Sequence, residues 1–323
     1  MRSRPVYFKV TRRYQLLKLV PWRRLLNRES LAVGLVFTAA IAATCGMDRA
    51  PIGADVRNLA LDVKRAGPDA PPTPEDSTMR LDGEVALHLQ IALLQSAVSK
   101  LEKVPQYSAL FTKQERIDGE LLDEQIMQMK IHHTPHKVFF KVEKGDVGRE
   151  ILFPAADDDP RLVVKLPKLG FRLPAIRFDP TSSAPMSESR YPITMAGIKA
   201  FAELALEIRK KDLRLGNKVK AEVSDNSEFD GRPCYEFTVT YSEPSASKDY
   251  RKCVLKIDRQ SMVPVYARNF TWPDKVSGAD PNRLDETTLL EFYTFKNIDF
   301  ETDMGTNTFL ISNPEYHFVN QKG

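Results

Sequence analysis

Residues 107–131 read YSALFTKQERIDGELLDEQIMQMKI, and the fold class follows from how this stretch turns back on itself. Its pivot is Asp118-Gly119, a pair suited to a tight primed turn, because such a turn needs positive φ and glycine accepts it freely. On the far arm Met127, Met129 and Ile131 alternate with Gln128, Lys130 and His132. A period of two with one apolar phase marks a half-buried strand. The spacing predicts strands over 107–117 and 120–131, paired antiparallel.

The same period continues downstream, where Val138, Phe140 and Val142 alternate with Lys141 and Glu143, and shorter strands are expected near Ile151, Val163 and Phe171. Upstream, before Pro105, the period changes. Leu87, Ile91, Leu94, Val98 and Leu101 recur at three- and four-residue spacing and predict an amphipathic helix over Glu84 to Val104. A second helix is expected over Thr194 to Lys211, with Thr194 as its cap and Ile198, Phe201, Ala205 and Ile208 as one apolar stripe. Strands then return near 219–223, 234–241, 253–257, 263–272 and 287–295, with Asp230-Gly231 marking another tight turn. Helix, antiparallel strands, helix, antiparallel strands is an α+β order, without the strand–helix alternation of a parallel sheet. No solenoid repeat period is present.

Charge divides the chain. The 323 residues contain 47 Lys and Arg against 43 Asp and Glu, yet nine of the cations and only one acid, Glu29, fall in the first thirty residues. The remainder is slightly acidic, so the basic balance belongs to the N-terminus and gives no nucleic-acid footprint. Leu31 to Ala43 (LAVGLVFTAAIAA) is uncharged and too short to span a bilayer comfortably. A positive flank, an apolar stretch and the small-x-small site Ala40-Ile41-Ala42 read as a signal peptide, or as an uncut N-terminal anchor; Cys45 is the residue a lipidated alternative would use. Residues 46–80, with Pro51, Pro68, Pro71, Pro72 and Pro74, read as a tether. The expected organisation is therefore 1–45 signal peptide or anchor, 46–80 tether and 81–323 a single β-rich domain, exported to the periplasm or cell envelope.

In an oxidising compartment Cys234 and Cys253, on neighbouring expected strands, either form one bridge or remain separate buried thiols. Register decides between the two.

Several stretches then carry a resemblance: Phe111 to Gly119 (FTKQERIDG), Gly148-Arg149-Glu150, Tyr191-Pro-Ile-Thr194 with Gly197, Gly231-Arg-Pro-Cys234, Tyr250 to Asp258 (YRKCVLKID), Val263-Pro264-Val265, Glu291 to Asn297 (EFYTFKN) and Asn313 to Phe318 (NPEYHF). Over about 81–318 the chain resembles a bacterial family of exported proteins of unknown function. More distantly it is similar to periplasmic lipoprotein carriers and lipid-binding lipoproteins. That likeness implies an open antiparallel half-barrel, a curved sheet with helices covering its concave face, around a hydrophobic cavity. Pro154 to Asp159 (PAADDD) departs from the glycine-rich loop expected of the family.

Catalytic motifs are absent from the sequence: it contains no phosphate-binding glycine loop, no G-x-S-x-G elbow and no cysteine pair at zinc spacing. His132, His133 and His136 cluster around Pro135 as a turn, and Asp157 to Asp159 read as a solvated loop rather than a Ca²⁺ site. Arg149-Glu150 reads either as a functional pair or, equally well, as a strand-end ion pair, and Arg209-Lys210-Lys211 as charges complementing a helix C-terminus. No catalytic residue, metal or cofactor is expected. If the sheet curls, Phe111, Met127, Met129 and Phe140 point inward and Phe201 covers them, forming the candidate ligand site. At about 0.8 kcal/mol per methylene, an acyl chain of a dozen carbons gains roughly 10 kcal/mol before entropy costs. The expected partner is thus a lipid or lipoprotein acyl group, with membrane association through the N-terminus. An envelope protein partner, for a scaffold domain with a filled core, is the alternative.

Overall fold

A computed structural model describes residues 79–167 and 174–318. These fall in one compact unit, Pro71–Gly323; the expected leader and nearly all of the tether lie outside the described residues, as does Phe171. The thirteen strands among the described residues form a single sheet. They are β1 (Arg80–Asp82), β2 (Gln106–Ile117), β3 (Glu120–Leu121), β4 (Gln125–His132), β5 (Lys137–Lys144), β6 (Glu150–Phe153), β7 (Leu162–Lys165), β8 (Ile176–Phe178), β9 (Val219–Phe229), β10 (Arg232–Tyr241), β11 (Lys252–Asp258), β12 (Pro264–Phe270) and β13 (Leu289–Asp299). The longer helices are α1 (Gly83–Leu101) and α3 (Ile198–Asp212); α2 (Ser183–Met186) and α4 (Leu284–Thr287) are single turns.

Every pairing is antiparallel, in the order β1-β9-β10-β11-β12-β13-β2-β4-β5-β6-β7-β8, with β3 attached to β2. The two halves of the chain are joined where β13, the last strand, pairs with β2. The path ends at two three-residue strands and does not close, and such short edges limit edge-to-edge pairing. Both hairpin signals hold: Asp118 and Gly119 have φ of 48° and 84°, Asp230 and Gly231 of 54° and 72°. The far arm of the first hairpin is interrupted after β3 and resumes in β4, whose register sets Phe111 opposite Met127 and Ala109 opposite Met129.

The helices lie together on one face. Ala86, Leu87, Ile91 and Leu94 of α1 share a core with Ala202 and Leu206 of α3 and with Val223, Phe237, Val239 and Leu255 of the sheet. α3 starts later than the sequence spacing predicts. Thr194 sits in a 3-10 turn, Ile193–Met195, and the helix is entered through Gly197 at φ 107°. A Cβ there would lie 2.8 Å from Tyr107 Oη, which itself accepts the Ile198 N–H at 2.7 Å. A buried tyrosine hydroxyl thus replaces the expected threonine cap. Among the described residues no helix is long and apolar enough to cross a membrane.

The cysteine bridge is not formed. Both thiols are free and buried, because the β10–β11 register sets Cys234 opposite Asp258 and Cys253 opposite Val239. Five residues along a strand separate them by about 17 Å, well beyond the reach of about 7 Å between Cα atoms that a disulfide tolerates.

Candidate functional site

The concave face encloses a cavity of about 320 Å³. Its walls come from nine neighbouring strands, β8 through β11 in sheet order, closed over by α1, α3 and the segment between β8 and α3. Laid flat, nine strands would span about 38 Å; their convergence on one cavity is the sheet's curvature.

Four of the five expected site residues meet there. Phe111, Met127, Phe140 and Phe201 all line the cavity. Phe111 stacks against Phe140, Tyr293 and Phe295, with centroids 6.0, 6.0 and 5.1 Å away. Met129, two residues along the same inward phase, is instead sealed in the adjoining packed core and is only 1% exposed. Further apolar wall comes from Ile151, Leu162, Val164 and Phe178 on β6 to β8. Ile176 and Met195, lining residues that are 41% and 39% exposed, mark the mouth.

The opposite end is polar. Glu115 on β2 and Glu291 on β13 are direct cross-strand partners, 3% and 2% exposed. Like charges set directly opposite repel, and Arg190 from the covering segment resolves the conflict. Its Nε donates to Glu291 at 2.8 Å and its backbone N–H to Glu115 at 3.2 Å. Glu291 also accepts from Tyr191, Tyr250 and Asn269 at 3.2, 3.1 and 2.7 Å, while Tyr293 donates to Glu115. Burial, then the nearby glutamates, raises the Tyr191, Tyr250 and Tyr293 phenols, keeping them protonated as donors. Burial, the largest single influence, opposes the Arg190 charge, but Glu291 together with Tyr191 and Tyr250 outweighs it and raises the guanidinium.

A second buried network closes the helix side. Arg209 Nε lies 3.0 Å from Asp212 and its Nη2 donates to Tyr241 at 2.7 Å. The basic cluster at the end of α3 therefore splits: Lys210 and Lys211 are exposed, while Arg209 turns inward at 4% exposure. Burial pushes the Cys253 thiol, beside Arg209, up to about 12, leaving it an unreactive wall.

Other sequence candidates are structural. His133 Nδ1 meets Val104 O at 2.6 Å and His132 Nδ1 meets Pro135 O at 2.9 Å, and no group of side chains among the described residues could hold a metal ion. Asp159 is taken up by Arg161, and Asp157 by Lys137. Arg149 and Glu150 do not pair with each other. Arg149 binds Asp146 and Glu188, whereas Glu150 accepts from His317 N and Nδ1 at 2.7 and 2.8 Å on the outer face.

The polar end was open to sequence reasoning. Continuing the inward phase of β2 from Phe111 gives Lys113 and Glu115, and that of β13 gives Glu291, Tyr293 and Phe295. Gln90 and Arg209 carried no such signal, since each interrupts an otherwise apolar helical stripe.

An open antiparallel half-barrel with helices over a hollow concave face defines a cavity-bearing β-rich scaffold. Residues 104–318 match the family of proteins of unknown function DUF1571, and the chain belongs to that family. No curated protein matches it. Among solved structures it is similar to the lipoprotein LppX of Mycobacterium tuberculosis, at 12% identity over 68% of this chain and 99% of that one, with a TM-score of 0.39. A putative outer membrane lipoprotein-sorting protein domain from Vibrio parahaemolyticus matches at 13% identity over 69% and 97%, with a TM-score of 0.32. A LolA superfamily protein from Nitrosomonas europaea matches at 12% over 68% and 96%, with a TM-score of 0.25.

Proposed function

We propose that this domain is a non-enzymatic envelope protein that holds one hydrophobic ligand, an acyl chain of a lipid or lipoprotein, inside its half-barrel. The observation that carries the reading is the cavity of about 320 Å³, walled by Phe111, Met127, Phe140, Ile151, Leu162 and Val164. Well-packed interiors hold few voids larger than a water molecule, so a space of this size with an apolar wall and an exposed apolar mouth suits a guest. Export, and with it a periplasmic or envelope location, is supported by the basic and apolar pattern of residues 1–45.

The test is titration of delipidated full-length protein with a fluorescent fatty-acyl probe. Saturable uptake at one probe per chain is expected, together with its loss in Ala205→Trp, which places bulk in the cavity wall. No saturable uptake refutes the reading and leaves the alternative, an exported interaction domain without a small ligand.

A further inference from the structure

Two buried polar atoms at the helix side of the cavity have no oxygen or nitrogen hydrogen-bond partner among the described residues: Gln90 Oε1 on α1 and Arg209 Nη1 on α3, where the Arg209 guanidinium has only the Cys253 thiol, a weak acceptor, as a further neighbour. Both residues line the cavity, and they are 3% and 4% exposed. Arg209 cannot easily turn elsewhere, because Asp212 and Tyr241 hold its other two nitrogens. A buried guanidinium N–H and a buried amide oxygen without partners are costly, and a guest that supplies one acceptor and one donor removes both penalties.

Charge balance narrows the guest. Around the cavity Arg209 is matched by Asp212, Arg190 by Glu291, and Lys113 by Glu115. An anionic head would add an uncompensated buried charge beside Asp212 and Glu291, which is strongly disfavoured. An ester carbonyl with a nearby hydroxyl supplies an acceptor and a donor without charge. The volume, about 320 Å³, lies at the small end of ligand sites and suits one chain rather than two.

We infer that the ligand is an uncharged, single-chain acyl ester bearing a free hydroxyl, its carbonyl oxygen accepting from Arg209 Nη1 and its hydroxyl donating to Gln90 Oε1. This assignment rests on the hydrophobic-cavity reading above. The head sits between the helices and the polar end of the sheet, and the tail runs toward Phe178 and the mouth at Ile176.

Competition against the fluorescent acyl probe on the full chain tests it with three ligands of equal chain length: monooleoylglycerol, methyl oleate and oleate. Monooleoylglycerol should displace the probe about tenfold more tightly than either of the others. Gln90→Leu should remove the preference for monooleoylglycerol over methyl oleate. Equal binding of all three in the unmodified protein overturns the head assignment but leaves the cavity reading standing. Tightest binding by oleate overturns it in favour of an anion site. Binding of none, the probe included, removes the cavity reading itself.

Discussion

Strands β5, β6 and β7 carry buried apolar side chains on both faces, and the molecule treats the two faces differently. Outward-facing Phe139, Leu152 and Val163 are covered by the chain's own C-terminal segment. Tyr316 stacks flat on Phe139 at 3.9 Å and 8°, Phe318 meets both rings edge-on, and the Glu150 carboxylate clasps His317. Inward-facing Phe140, Ile151, Leu162 and Val164 border a cavity. Among the described residues the chain thus supplies its own filling for the convex side and none for this part of the concave side. Hydrophobicity alone does not distinguish a core from a binding surface; what distinguishes them is whether the chain brings a complementary segment.

Truncation gives the largest expected contrast. Phe139→Ala or Tyr316→Ala should lower the unfolding free energy by about 3–5 kcal/mol, the cost of emptying a packed aromatic site. Phe178→Ala, at the rim of the cavity, should cost no more than about 1.5 kcal/mol, because its ring is only partly buried and borders empty space already. Urea unfolding followed by tryptophan fluorescence measures both, and equal losses would erase the distinction between a filled and a hollow face.

Added bulk should give a smaller difference of the opposite kind. Ala155, 3% exposed beneath the outer aromatic cluster, has no room, and Ala155→Leu should cost about 1–3 kcal/mol through overpacking. Ala205 faces the cavity, and Ala205→Leu should change stability by less than about 1 kcal/mol. Thermal melts of the two variants under one condition check this, and a cavity variant as unstable as the outer one would count against the hollow.

The two faces also differ in how far the sequence revealed them. The inward phase was legible because period-two alternation along β4 and β5 set Met127, Met129, Val138, Phe140 and Val142 apart from a mostly polar opposite phase. The outer cover was not. Phe139 breaks the alternation, and its partners Tyr316 and Phe318 lie in a segment with no period of its own, 177 and 179 residues further on. Register, which excluded the Cys234–Cys253 bridge, is set by hydrogen-bond phasing and bulges that residue types only loosely encode. The motif residues Glu115, Tyr191, Gly197, Tyr250 and Glu291 looked scattered. In the fold four of them meet in one hydrogen-bonded cluster, and the fifth lets α3 start against Tyr107.

Acid should separate the faces by the smallest margin. His133 and His136 lie in the β4–β5 turn, where His133 bonds the end of α1 and His136 faces the Ile193 turn that leads into α3. Burial, first among the causes, lowers both imidazoles below the ordinary 6.5, so the folded protein holds them neutral to lower pH than the unfolded chain does. Below 6.5 the unfolded state therefore binds more protons, and stability, complete above that value, falls as the pH drops toward the folded-state value. The lowered imidazoles should reduce Tm by roughly 2 °C between about pH 7 and pH 5, the partly exposed rings being screened by solvent. A His133→Asn, His136→Asn double variant should flatten that slope. Because both histidines support the helix that roofs the cavity, hydrogen exchange at the lower pH should quicken first in residues 193–202, while the segment clasped on the convex side by Tyr316 and Phe139 keeps its protection. Equal quickening on both sides would mean that the covered and the hollow face unfold as one unit.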